Sequence, residues 1–172
     1  MSEVLTSFRH ELHAHPELAH AEHATADRVV AFMQQFNPTE MVTGIAGTGV
    51  VVTFDSGVEG RRMLFRCELD ALPIVEIGVD GYTSVDAGVS HKCGHEIITP
   101  DVGMRAGEDF GLFTERFPCC LVLLGAREDH IPIHNAAYDF PDELIATGVQ
   151  LFEQIVRDAE DNFETTLRKH LS

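Results

Sequence analysis

The chain has 172 residues, 44% of them hydrophobic and 23% charged. That is enough apolar material for one compact domain with a buried core and too much for a disordered chain, and the length falls short of two ordinary domains. The 28 acidic and 12 basic side chains give a formal net charge of -16. A surface that negative repels phosphate backbones and anionic lipid, which argues against nucleic-acid and membrane partners.

In chain order, the N-terminal stretch predicts two helices. Leu5, Phe8 and Leu12 fall on one helical face. Val29, Val30, Phe32, Met33 and Phe36 make a wider stripe beyond Pro16, at the spacing of an amphipathic helix. Gly44 to Gly49 reads as a strand-entry turn, since it lacks the residues of a phosphate loop. Gly49 to Phe54 is β-branched and predicts a strand, and Asp55-Ser56-Gly57 opens a turn. Arg62 to Leu69 predicts a second strand. Residues 76 to 92 read as loop, Thr99 to Gly107 as a connector, and Glu108 to Arg116 as a short helix. Cys119 to Leu124, between Pro118 and Gly125, predicts a buried strand. A long helix follows, with Asp139 as its cap, Pro141 in its first turn, and Ile145, Val149, Phe152 and Val156 as its buried face. This order implies an α/β fold with a mixed sheet sandwiched between helices.

The four cysteines are Cys67, Cys93, Cys119 and Cys120. Adjacent Cys119 and Cys120 are poor disulfide partners. The start of the chain has no signal-peptide pattern, and no apolar run is long enough to span a membrane. The expectation is a reducing cytoplasm, in which a special cysteine is a ligand or a reactive thiol.

The residues richest in chemistry are His91-Lys92-Cys93-Gly94-His95-Glu96. A thiolate and an imidazole two residues apart, with Gly94 permitting a tight path between them, can reach one borderline-soft metal ion. His134 is the best distant candidate for a further ligand. Spacing alone leaves a second reading open: an ordinary loop with two histidines and a buried cysteine. The remaining N-terminal histidines read as exposed or packed helix residues.

Several ordered motifs together resemble the metal-dependent amidohydrolase and carboxypeptidase family, which includes aminoacylase, hippurate hydrolase, N-acetyl-diaminopimelate deacetylase and the indole-acetyl-amino-acid hydrolases. They are Phe8 to Leu18, Gly47 to Val51, Arg66 to Ile74, His91 to Glu96, Gly107-Glu108-Asp109-Phe110, Leu124-Gly125, and Ile133-His134-Asn135 followed by Tyr138-Asp139-Phe140. The resemblance implies a truncated zinc-exopeptidase catalytic domain. Cys93, His95 and His134 would be metal ligands and Asp70 the supporting aspartate. The ion would be divalent, zinc first, with manganese, cobalt or nickel as alternatives. Glu68 and Glu96 stand where the family usually has aspartates, and Ile97 and Ile98 where it commonly has glycine and histidine.

Family members are roughly twice as long. The resemblance therefore implies a single catalytic-type domain over residues 1–172, without the lid and dimerisation domain, the deletion falling near 97–106. The sequence has no Glu-Glu pair and no histidine between His95 and His130, so the family's general base has no counterpart. Glu108 is the chosen stand-in; its other reading is a first-turn acid favoured by the helix dipole. Two functions follow. One is a minimal hydrolase of amide bonds in N-acyl amino acids or small peptides. The other is a non-catalytic metal- or partner-binding descendant lacking the base. Surface uncovered by the deletion also suggests a homo-oligomer.

Overall fold

The computed structural model describes residues 2–60, 62–92, 112, 115–117, 124 and 131–170, with side chains as far as residue 159. Helix α1 (Ser2–Ala14) carries Glu3 in its first turn, matching the helix dipole, and His13 in its last. Helix α2 (His23–Gln34) packs against it through the expected faces: the rings of Phe8 and Phe32 stack with centroids 3.9 Å apart. Phe36 adds an edge contact to Phe32 at 5.4 Å.

The start of α2 is capped from a distance. Glu22 occupies the N-cap and makes no side-chain capping bond. The Glu17 carboxylate accepts instead from Ala24 N at 3.2 Å, Thr25 N at 2.6 Å and Thr25 Oγ1 at 2.8 Å. Burial pulls the Glu17 carboxyl upward, but these donors outweigh it and hold it below its ordinary range. Glu22 is used elsewhere, accepting from Thr48 Oγ1 at 2.8 Å.

Strands β1 (Glu40–Ile45) and β2 (Gly49–Thr53) form an antiparallel hairpin, with Glu40 opposite Thr53 and Ile45 opposite Gly49. The sequence reading found β2 and the turn but passed over β1. Met41, Val42 and Ile45 show no period of two, so only the partner strand defines that element. The register slips between Thr43 and Ile45, where Gly44 takes a φ of 76°, a conformation that glycine tolerates at a bulge. Gly49 is sterically required: a Cβ there would lie 2.6 Å from the Ile45 carbonyl oxygen.

Two expectations are corrected. Arg62 to Leu69 is not a strand. No ladder partner lies beside it among the described residues, and Leu64 is left 76% exposed. Asp139 does not cap the last helix, α3 (Glu143–His170). It accepts from Tyr82 Oη at 2.6 Å, and the turn entering α3 is closed instead by Leu144 N on Pro141 O and Ile145 N on Asp142 O. On α3, Ile145, Val149 and Val156 are half-buried, but Phe152 is 53% exposed, with its ring edge-on to Phe65 at 5.1 Å. The expected helix over 108–116 and strand over 119–124 lie largely outside the described residues. What is described is three helices and a two-stranded sheet. The α/β content therefore holds, whereas the mixed sheet between helices is not seen among the described residues.

Glu17→Ala should lower stability by about 1–2 kcal/mol, the usual cost of losing a cap. Urea denaturation should show a lower midpoint with an unchanged slope. An unshifted midpoint would mean that α2 does not depend on this carboxylate.

Candidate functional site

The best-buried part of the described chain is polar. Ala71, Val79, Val89 and Tyr138 are buried, and so are His13, Ser90 and Lys92, the last completely. Loop 70–92 is wrapped around the C-terminal end of α1. Ala71 N donates to Glu17 O at 2.8 Å, Leu72 and Ser90 exchange a pair of backbone bonds at 3.0 Å, and Val85 N donates to Ala14 O at 2.9 Å.

At the centre lies Glu76, whose side chain is 4% exposed. Its Oε1 accepts from Lys92 Nζ at 2.7 Å and sits 2.5 Å from His13 Nε2. Its Oε2 accepts from Ser84 N at 2.9 Å. Burial would raise the Glu76 carboxyl, but Lys92, the Ser84 amide and His13 overcome it and keep it below its ordinary value of 4.5. Burial also lowers His13 from its ordinary 6.5, and the attraction of Glu76 only partly restores it. His13 is therefore neutral and donates to an ionised carboxylate. Lys92 Nζ makes a second bond, to Tyr138 O at 2.5 Å.

Around this centre, segment 131–142 closes over the loop. Ile77 N donates to Ala136 O at 2.9 Å, and His134 N donates to Lys92 O at 3.1 Å. Farther out, Arg9 Nε donates to Asp142 Oδ1 at 2.6 Å and His10 Nε2 meets Asp142 Oδ2 at 2.7 Å. The Arg9 guanidinium covers the Tyr82 ring at 4.7 Å.

Of the five site residues expected from sequence, Asp70 and His134 are described; Cys93, His95 and Glu108 lie outside the described residues. The structure brings the two described ones to neighbouring points on one short stretch, His91-Lys92. His91 lies close to Asp70, and burial depresses the basicity of its ring. Its Nε2 is buried with no hydrogen-bond partner among the described residues. On the other side the His134 amide is bound to the Lys92 carbonyl, next in the chain to Cys93. His134 has a φ of 66°, a left-handed conformation that is uncommon for residues other than glycine, although histidine is among the side chains that visit it more often. No group of three or more metal-ligating side chains forms among the described residues. The chemistry of the proposed donors, one thiolate and two imidazoles, fits a borderline divalent ion. Sequence reasoning missed Glu76 and Lys92 and took His13 as merely packed, because no spacing rule links residues 13, 76 and 92.

Comparison with known proteins bears out the resemblance. The chain is 37% identical over 90 residues to an N-acyl-L-amino acid amidohydrolase of Geobacillus stearothermophilus, covering 52% of this chain and 24% of that protein. It is 35% identical over 98 residues to a hippurate hydrolase of Campylobacter jejuni, covering 57% of this chain and 25% of that protein. It is 33% identical over 99 residues to an N-acetyldiaminopimelate deacetylase of Limosilactobacillus fermentum, covering 56% and 26%. The matched stretch thus spans about a quarter of the length of these curated relatives. No family model matches, and no solved structure matches. Among the described residues no helix is long and apolar enough to cross a membrane.

Two predictions follow from the buried cluster. Lys92→Met strands the Glu76 carboxylate and should cost about 3 kcal/mol in chemical denaturation, the low end for breaking a buried pair. Adding Glu76→Gln should recover part of that loss, whereas purely additive losses would refute the pairing. Because His13 and His91 bind protons less readily folded than unfolded, acidification favours the unfolded chain. Their contribution is complete above 6.5, the unfolded value, and drains away as pH falls toward the lower folded values. Stability should be level from about pH 8 to pH 7 and decline below that. A flat profile down to about pH 5 would contradict neutral, buried histidines.

Proposed function

We propose that this chain is an amidohydrolase-type domain that cleaves the amide bond of N-acyl amino acids or small peptides with a divalent metal, zinc first. The observation that carries this reading is the His134 amide on the Lys92 carbonyl at 3.1 Å. It sets one proposed ligand beside the residue that leads into Cys93, although the two are far apart in sequence. The names of the relatives, amidohydrolase, hippurate hydrolase and deacetylase, support the reaction class.

In this reading Cys93, His95 and His134 hold the ion. When bound, it would supply a Lewis acid for the scissile carbonyl and make water more acidic. Asp70 supports the ligand set in this reading. Glu108 takes a proton from the attacking water and delivers it to the departing nitrogen. The water oxygen becomes part of the new carboxylic acid as the C–N bond breaks. A carboxylate in that role contributes about a hundred- to ten-thousand-fold. The substrate is a small molecule in an open cleft, the compartment the cytoplasm, and the unit a single domain without the relatives' lid. The working assembly is a homo-oligomer, a reading supported by exposed apolar side chains such as Val58, Leu64 and Val85.

A second reading is favoured by one feature. The sequence has no Glu-Glu pair, the family's source of the general base, and a chain without that base would bind a metal or a partner and not turn over.

Elemental analysis after dialysis against divalent ions should find bound metal in the wild type and none in Cys93→Ala or His134→Gly. Glycine relieves the left-handed strain at 134, so the latter should stay within about 1 kcal/mol of wild-type stability and still lose metal. Metal-dependent release of amino acid from N-acyl substrates, abolished by Glu108→Gln, would support the hydrolase. Metal binding without turnover would leave the second reading, and absence of metal from the wild type would overturn both uses of the ion.

A further inference from the structure

Lys92 has two functional ends in this fold, and each is fixed by a different part of the chain. Its ammonium is fully buried and is bound by Glu76 Oε1 at 2.7 Å and Tyr138 O at 2.5 Å. Its carbonyl accepts the His134 amide at 3.1 Å. Tyr138 and His134 lie on the same short segment, so one residue grips that segment at two points four residues apart. A lysine that only filled space would not need both bonds. The ammonium is too costly to bury without its acceptors, so any sliding of segment 131–138 along residue 92 would leave that charge short of a partner.

The strain at His134 points the same way. A φ of 66° is relaxed for glycine and tolerable for asparagine. For histidine it is uncommon but accessible, and surrounding bonds hold the backbone in it here. The amide bond to Lys92 O is one such bond. Asn135 N on Pro132 O and Tyr138 N on Asn135 O close the turns on either side.

We infer that Lys92 is a positioning residue for metal binding: its buried ammonium locks segment 131–138 in register, and its carbonyl then sets where His134 is presented. This rests on the reading of His134 as a ligand. The site would accordingly be set before metal arrives, and the ion would not have to order residues 131–138 itself. Lys92 acts through His134 and touches neither substrate nor ion. Supporting residues of this kind typically change metal affinity by about ten- to a hundredfold.

The test uses Co2+ alone, whose visible absorption reports ligand identity and geometry without any turnover. Wild type is compared with Glu76→Gln/Lys92→Met, in which both buried charges are removed together so that neither is stranded. Circular dichroism first establishes that the double variant is folded. The expected result is Co2+ binding about tenfold or more weaker, with an altered absorption spectrum. A folded double variant that binds Co2+ with wild-type affinity and spectrum overturns the inference. If the variant does not fold, hydrogen exchange of the His134 amide in the wild type decides. Protection in the metal-free protein, unchanged by Co2+, supports a register set in advance. Rapid exchange that becomes slow only with Co2+ overturns it. Wild type that binds no Co2+ at all defeats the metal reading itself, an outcome distinct from either.

Discussion

The Glu76 carboxylate accepts hydrogen bonds from three places: His13 at the end of α1, Ser84 within its own loop, and Lys92 at that loop's far end. Each donor alone would be inadequate compensation for burying a negative charge, and together they hold it ionised. The dependence is mutual. Lys92 is fully buried, and its ammonium donates to Glu76 and to the Tyr138 carbonyl. The position of loop 70–92 on α1, and of segment 131–142 on that loop, therefore follows from one electrostatic requirement.

That requirement matters more here than in a domain with a large apolar core. The buried hydrophobic residues of the described chain are small or few, while Val58, Leu64 and Phe152 are exposed. Directional polar contacts do the aligning: Arg9 and His10 on Asp142, Tyr82 on Asp139, and Glu17 on the start of α2. Hydrogen-bonded networks lose much of their value when one member is missing. The fold near the candidate site should thus tighten or loosen as a unit.

The functional reading draws on the same geometry. Two of the proposed site residues lie near His91-Lys92: Asp70 close to His91, and His134 through the Lys92 carbonyl. The proposed chemistry depends on that convergence, because a metal needs ligands from distant parts of the sequence at one point in space.

Much of the local structure was legible in the residues. The apolar stripes of 5–12 and 29–36 gave two helices, the β-branched run from Gly49 gave β2, and the face of α3 was placed correctly apart from Phe152. The same logic failed at Arg62 to Leu69, whose apolar composition suits a strand but whose hydrogen bonds need a neighbour that composition does not reveal. It failed at β1 for the converse reason, since β2 imposes a pairing that the residues of β1 do not announce. The sequence by itself determined the first two helices, the last helix and strand β2, all of which depend on residues a few positions apart. Only the tertiary structure decided that His13, Glu76 and Lys92 share one buried charge cluster and that His134 rests on Lys92, because those contacts join residues dozens of positions apart and no local periodicity encodes them.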